Sequence, residues 1–198
     1  MEPKHSRAVE LSIQGAYRVE PIVHEDDRGT FRELHSPRSE PEGCAPLLLA
    51  QANCSTSALG ALRGISYTDV PPGQTKIVTC VKGAVLDVVV DLRQGSPTFG
   101  RWHIEQLDEH NRLALRIGPG LGHGYLSLTD GATVLYLLST AYDPRHERRV
   151  NPLDPGLAIP WPAGITPVLS PKDSAAPGLH EAQSTGLLPV FESHPANH

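Results

Sequence analysis

A chain of 198 residues is long enough for one domain with a sizeable core, or for one domain plus a tail. Its formal charge of -5, with no Lys/Arg-rich block, excludes a general nucleic-acid binder, which needs clustered cations to neutralise phosphates, so any anionic ligand must meet a local positive cluster. Cys44, Cys54 and Cys80 are odd in number and lack close pairing, so neither a disulfide framework nor a zinc knuckle is indicated and a reducing, cytoplasmic setting is expected.

In chain order, the opening MEPKHSRAVELSIQGAY has no apolar signal core. No later run approaches the roughly 18 apolar residues of a membrane span, so neither export nor membrane insertion is expected. Segment 36–47, SPRSEPEGCAPL, reads as a loop. The 18 glycines and 19 prolines punctuate apolar runs instead of massing in one segment, which predicts many turns between short strands and an all-β fold.

From Gln74 the rhythm is regular: KIVTCV, AVLDVVVDL, RWHIEQL, RLALRI and ATVLYLLS alternate with KG, RQGSPTFG, DEHN and GPGLG. This is the pattern of a sandwich or barrel. Period two puts Leu86, Val88 and Val90 on one strand face and Asp87, Val89 and Asp91 on the other, so one side is expected to be core and the other to carry polar chemistry. By the same rule Lys76 shares a face with Val78 and Cys80, and Tyr136 with Val134 and Leu138, placing a lysine and a tyrosine among apolar neighbours. A lysine at a strand start is ordinarily solvated, and a strand tyrosine ordinarily packs with its hydroxyl at a rim.

His123 falls in the Gly-rich GLGHGY, read as a turn where a histidine ordinarily satisfies backbone groups. Arg63 precedes a glycine, as a surface arginine often does. Further on, Ser170 is expected to cap a short turn, and Leu179 to Gly186 to form two helical turns that Gly186 stops. Residues 1–188 are expected to form a single domain and 189–198 a poorly ordered tail.

Eight segments together resemble the dTDP-4-dehydrorhamnose 3,5-epimerase family: DDRGTFREL, QANCSTS, ALRG, QTKIVTCVKGAVLDVVVDLRQGSPTFGRW, GPGLGHGYLSL, VLYLLSTAYDP, DPGLAIPWP and LSPKDSAAP. The resemblance runs from about Tyr17 to Leu188 and implies a metal-free cupin, a β jelly roll. It also implies a homodimer in which an N-terminal segment joins the partner's sheet.

The family's substrate carries a ketone at C4 of a dTDP-linked sugar, which acidifies the protons at C3 and C5. A base removes a proton, a cation stabilises the enolate, and an acid returns a proton to the opposite face. The resemblance puts the enolate-stabilising lysine at Lys76, the acid tyrosine at Tyr136 and the base-orienting aspartate at Asp173. For the ligand it implies Arg63 and His123 at the diphosphate and Arg28, Phe31 and Glu33 at the nucleotide end, with Gln51, Asn53 and Tyr142 against substrate. Arginine suits a diphosphate through its planar fork, and Phe31 suits stacking on thymine.

One position departs. The family's base is a histidine, and it falls on Ser66 in ALRGISYT. A serine hydroxyl has no useful basicity near neutral pH unless another group activates it.

Three readings follow. The first, ranked first, is a 3- or 3,5-epimerase of deoxysugar and secondary-metabolite biosynthesis whose base is Asp173 or a water held between Asp173 and Ser66. The second is a different enolate reaction on a keto-substrate (isomerisation, elimination or cyclisation) with Tyr67 and Asp69 supplying acid-base groups. The third is a catalytically silent nucleotide-sugar binder. GISYTDVPPGQTK has no histidine and His123 has no imidazole nearby in sequence, so neither a catalytic metal nor another cofactor is expected.

Overall fold

Branched and aromatic side chains fit a pleated, half-buried surface, and the apolar runs of this chain accordingly form strands. The computed structural model describes residues 6–191. In chain order the strands are β1 (Arg7–Glu10), β2 (Ala16–Glu20), β3 (Val23–Asp26), β4 (Gly29–Arg32), β5 (Gln51–Ser57), β6 (Ala61–Thr68) and β7 (Lys76–Lys82). They continue with β8 (Ala84–Asp91), β9 (Trp102–Asp108), β10 (Ala114–Ile117), β11 (Leu121–Ser127), β12 (Ala132–Leu138), β13 (Glu147–Arg149) and β14 (Val168–Leu169). Two short helices follow, α1 (Pro171–Ser174) and α2 (Leu179–Ser184).

One sheet runs β1-β2-β10-β7-β12-β5, and a second runs β13-β6-β11-β8-β9 with β14 parallel to β6. Strands β3 and β4 form a separate hairpin. The whole is the expected all-β jelly roll. Val78 and Val134 of the first sheet and Val85, Val89 and Tyr125 of the second meet in one buried cluster.

The even face of β8 is also buried, which corrects the expectation of one core face and one polar face. Val88 and Val90 join Ile65, Tyr67 and Leu92 in a second cluster, covered by Trp161, Leu179 and Ala182 from the C-terminal segment. The polar residues of the odd face are therefore internal: Asp87 and Asp91 are both 0% exposed. Asp91 is satisfied by Arg93, Ser96 and Thr98, as a buried carboxylate requires. Asp87 belongs to the site described below.

The glycine-rich stretch around His123 is the middle of β11, not a turn. A Cβ at Gly122 would lie 2.6 Å from Ile65 Cγ2 and 2.7 Å from Leu92 Cδ1, so the absent side chain lets the second cluster pack directly on the strand. The two helical expectations hold: the Ser170 hydroxyl accepts from the Asp173 N–H with Pro171 in the first turn, and α2 ends just before Gly186 at φ 72°. Of the tail, Pro189 and Phe191 bond to the backbone of Gln94, while 192–198 lie outside the described residues.

Candidate active site

Residues of both sheets line a cleft of about 390 Å³. An irregularity in β6 decides what faces it. Ser66 pairs with His123, but Arg63 pairs with Tyr125, so three steps of β6 match two of β11. This bulge turns both Arg63 and Ser66 towards the cleft, whereas strict alternation would place them on opposite faces. Gly64 makes the crossing feasible: its φ is +104°, and a Cβ there would sit 2.5 Å from the His123 carbonyl oxygen.

Lys76 opens β7 and Tyr136 lies on the adjacent β12, both lining the cleft. The Lys76 ammonium donates to Ser66 Oγ at 3.5 Å. Burial pushes the Lys76 amine down to about 8, although the Glu147 and Asp87 carboxylates pull the other way. Burial, reinforced by the neighbouring Tyr125, raises the Tyr136 hydroxyl well above the ordinary phenol range. Tyr136 thus keeps its proton across the neutral range. Tyr125 is itself anchored by Ser55 and Ser57 at 2.9 and 2.8 Å.

Asp173 lies at the cleft in α1, and both its carboxylate oxygens are engaged. Arg149 Nε donates to Oδ1 at 2.9 Å and the Ser170 hydroxyl to Oδ2 at 2.7 Å. Arg149 is the cross-strand partner of Ser66 in the β13–β6 pair, and its Nη2 also meets Glu147 at 3.0 Å. A guanidinium therefore stands beside the short serine and claims the carboxylate.

His123 is 3% exposed. Its Nε2 lies 3.0 and 2.9 Å from the two oxygens of Asp87, and its ring stands edge-on to Tyr136 with centroids 6.0 Å apart. Arg63 is exposed, with Nε donating to Ser57 Oγ at 3.1 Å. Asn53 and half-exposed Tyr142 complete the rim. Gln51 braces both, donating to Asn53 Oδ1 and accepting from the Tyr142 N–H, each at 2.8 Å. The Glu147 carboxylate raises the Tyr142 hydroxyl above its ordinary value.

Not every expected residue gathers here. Arg28 and Phe31 line a separate hollow on the β3–β4 hairpin, where Arg28 pairs with Asp26 and Phe31 is 70% exposed. Glu33, just beyond, accepts from Ser39. Tyr67 does line the cleft, but its hydroxyl donates to the Leu187 carbonyl at 3.1 Å and its side chain packs in the second cluster. Asp69 pairs with Arg148 at 2.7 Å.

Sequence reasoning missed Arg149, Glu147, Tyr125 and the pairing of Asp87 with His123. For Tyr125 a signal existed, since it lies two residues beyond His123 on one strand face. For Arg149 none did, because its place is set by a long-range strand pairing. Among the described residues no three His, Cys, Asp or Glu side chains are grouped to hold a metal, and no helix is long and apolar enough to cross a membrane.

Comparison with known proteins bears on the family and the fold. The family described as dTDP-4-dehydrorhamnose 3,5-epimerase matches residues 10–181. A dTDP-4-dehydrorhamnose 3,5-epimerase of Streptomyces griseus is 50% identical over 184 residues, covering 92% of this chain and 91% of that one. The crystal structure of NovW, a 4-keto-6-deoxy sugar epimerase from the novobiocin cluster of Streptomyces spheroides, is similar with a TM-score of 0.91 at 49% identity, covering 96% of each chain. ChmJ, a 3'-monoepimerase from Streptomyces bikiniensis solved with dTDP-quinovose, gives 0.88 at 50% identity, covering 91% of each chain.

Proposed function

The chain belongs to the dTDP-4-dehydrorhamnose 3,5-epimerase family, and from that premise we propose that it acts on a dTDP-linked 4-keto-6-deoxy sugar as a 3- or 3,5-epimerase in deoxysugar and secondary-metabolite assembly. The observation that carries this reading is the buried Lys76 ammonium lining the cleft, with the protonated Tyr136 hydroxyl on the next strand. A cation removed from water stabilises an enolate oxygen far better than a solvated one does. Tyr136 returns the proton to carbon, and exposed Arg63 meets the diphosphate at the mouth.

The nucleotide-end residues sit on the β3–β4 hairpin, outside the cleft of their own chain. We propose a homodimer in which Arg28, Phe31 and Glu33 of one protomer serve the other's cleft, in the cytoplasm and without a metal or cofactor. Phe31, exposed on a short hairpin, has the form of a stacking surface waiting for a base.

The Arg149–Asp173 ion pair favours a second reading, a different enolate reaction on a related keto-substrate. A carboxylate held by a guanidinium is a poor base and cannot orient an imidazole. Proton NMR of a dTDP-4-keto-6-deoxy sugar with the protein in D2O, alongside a dTDP titration, tests both. Epimerisation predicts exchange at C3, C5 or both with appearance of the inverted sugar. Exchange with a non-epimeric product selects the second reading. Binding of dTDP without any exchange would contradict both and leave a silent binder.

A further inference from the structure

If Ser66 does not take the proton, some other group must. Among the described residues lining the cleft, most proton acceptors are already committed. Asp173 is held by Arg149 and Ser170, Glu147 by Arg149, and Asp143 by Arg145 through contacts as short as 2.6 Å. His146 stands at the rim, its side chain 42% exposed and its Nδ1 3.6 Å from Asp69. Lys76 and Tyr136 hold their protons for the enolate and the carbon.

His123 differs from all of these. Its Nε2 faces both oxygens of Asp87. A carboxylate can only accept, so Nε2 carries a proton, and in the neutral ring Nδ1 carries the lone pair. Among the described residues Nδ1 has no hydrogen-bond partner, and the imidazole lines the cleft. An imidazole steadied through one nitrogen by a buried carboxylate, with the other nitrogen open to a substrate cleft, is the arrangement of a general base.

Its location also fits. His123 is the direct cross-strand neighbour of Ser66, so it shares that strand pair's cleft face and opposes the sheet that carries Lys76 and Tyr136. A diphosphate is the less suitable partner for His123: the ring is 3% exposed, and Arg63 already offers a cation at the mouth.

We propose that His123 is the base of this site and that Asp87 is its positioning residue. This rests on the enolate reading above. The Nδ1 lone pair takes the proton from the carbon beside the ketone. The C–H bonding pair becomes the enolate double bond, and the carbonyl π pair moves to oxygen, where the Lys76 ammonium meets it. Asp87 stabilises the imidazolium. The enolate then takes a proton from the Tyr136 hydroxyl, restoring the ketone, and solvent returns that proton to the phenolate and removes the one on His123.

The test measures deuterium wash-in at C3 and C5 of a dTDP-4-keto-6-deoxy sugar, with dTDP affinity and the melting temperature read in parallel. His123→Gln is expected to lower wash-in by about 100-fold or more while dTDP binds within about threefold of the parent. In His123→Ala, added imidazole is expected to restore part of the exchange, which a purely structural role would not allow. Asp87→Asn is expected to lose at least about tenfold without loss of dTDP. Undiminished exchange in His123→Gln would overturn the proposal while sparing the enolate reading. A fall in dTDP affinity in step with exchange would overturn it in favour of a phosphate ligand. Absence of exchange in the parent protein would overturn both together.

Discussion

Two buried carboxylates stand at the same cleft with opposite partners, Asp173 lining it directly and Asp87 reaching it only through His123. Asp87, 0% exposed, holds the His123 imidazole, while Asp173, 6% exposed, holds the Arg149 guanidinium. The residue type is the same, and the partner decides the chemistry. An imidazole can gain and lose a proton near neutral pH, so its carboxylate can steady a base. A guanidinium stays charged, so its carboxylate is neutralised and structural. On the proposal above, the proton-transfer capacity of the cleft resides at His123 and not at the Ser66–Asp173 side, where the family resemblance alone would place it.

The largest effect that sharpens the comparison comes from the group both sides depend on. Lys76→Ala is expected to lower deuterium wash-in about 100- to 1000-fold, the scale for removing one oxyanion donor, with dTDP binding retained in a calorimetric titration.

A smaller effect would break the comparison if it went the other way. Ser66→His alone is expected to change the epimerisation rate less than about threefold, because Arg149 still claims Asp173. Combined with Arg149→Ala it is expected to raise the rate about 10- to 100-fold, as a second oriented base becomes available. A full gain from the single substitution would mean that the ion pair yields easily.

The pH dependence follows from Lys76. Its amine is lowered to about 8 by burial, with Glu147 and Asp87 acting against and Arg149 with that shift. The cationic form stabilises the enolate, so the rate is expected to fall as pH rises through about 8, approaching tenfold per unit beyond it. A rate profile still flat at pH 9 would remove Lys76 from this role.

The smallest effect is on the structural side. Asp173→Asn is expected to cost about 1 kcal/mol in denaturant unfolding, losing a partly exposed ion pair and weakening the Ser170 cap, while wash-in changes less than about threefold. Asp87→Asn does the reverse, with a small effect on dTDP binding and a large one on exchange.

Much of the fold was legible from Gln74 onward, because β7, β8, β9 and β12 are continuous apolar or alternating runs between clear turns. β11 was not, since Gly122 and Gly124 remove the side chains by which a strand is recognised, and the reason for their absence is packing by Ile65 and Leu92 from elsewhere in the chain. The short β1 to β4 are mostly half-exposed and carry little periodicity.

For the site, the resemblance led to Lys76, Tyr136, Ser66 and His123, and alternation put Lys76 and Tyr136 among the right neighbours. The pairing of Arg149 with Asp173 and of His123 with Asp87 depends on strand registers tens of residues apart. No local pattern encodes these, and on the proposal above they separate a base from a neutralised carboxylate.

The most direct measurement is a crystal structure with a dTDP-linked 6-deoxy sugar bound in the cleft, reading the distance from C3 and C5 to each candidate base. The account predicts one of these carbons within about 3.5 Å of His123 Nδ1, a near-attack distance, with Arg149 still on Asp173. A sugar whose C3 and C5 both face Ser66, with an ordered water bridging to an Asp173 released from Arg149, would contradict it.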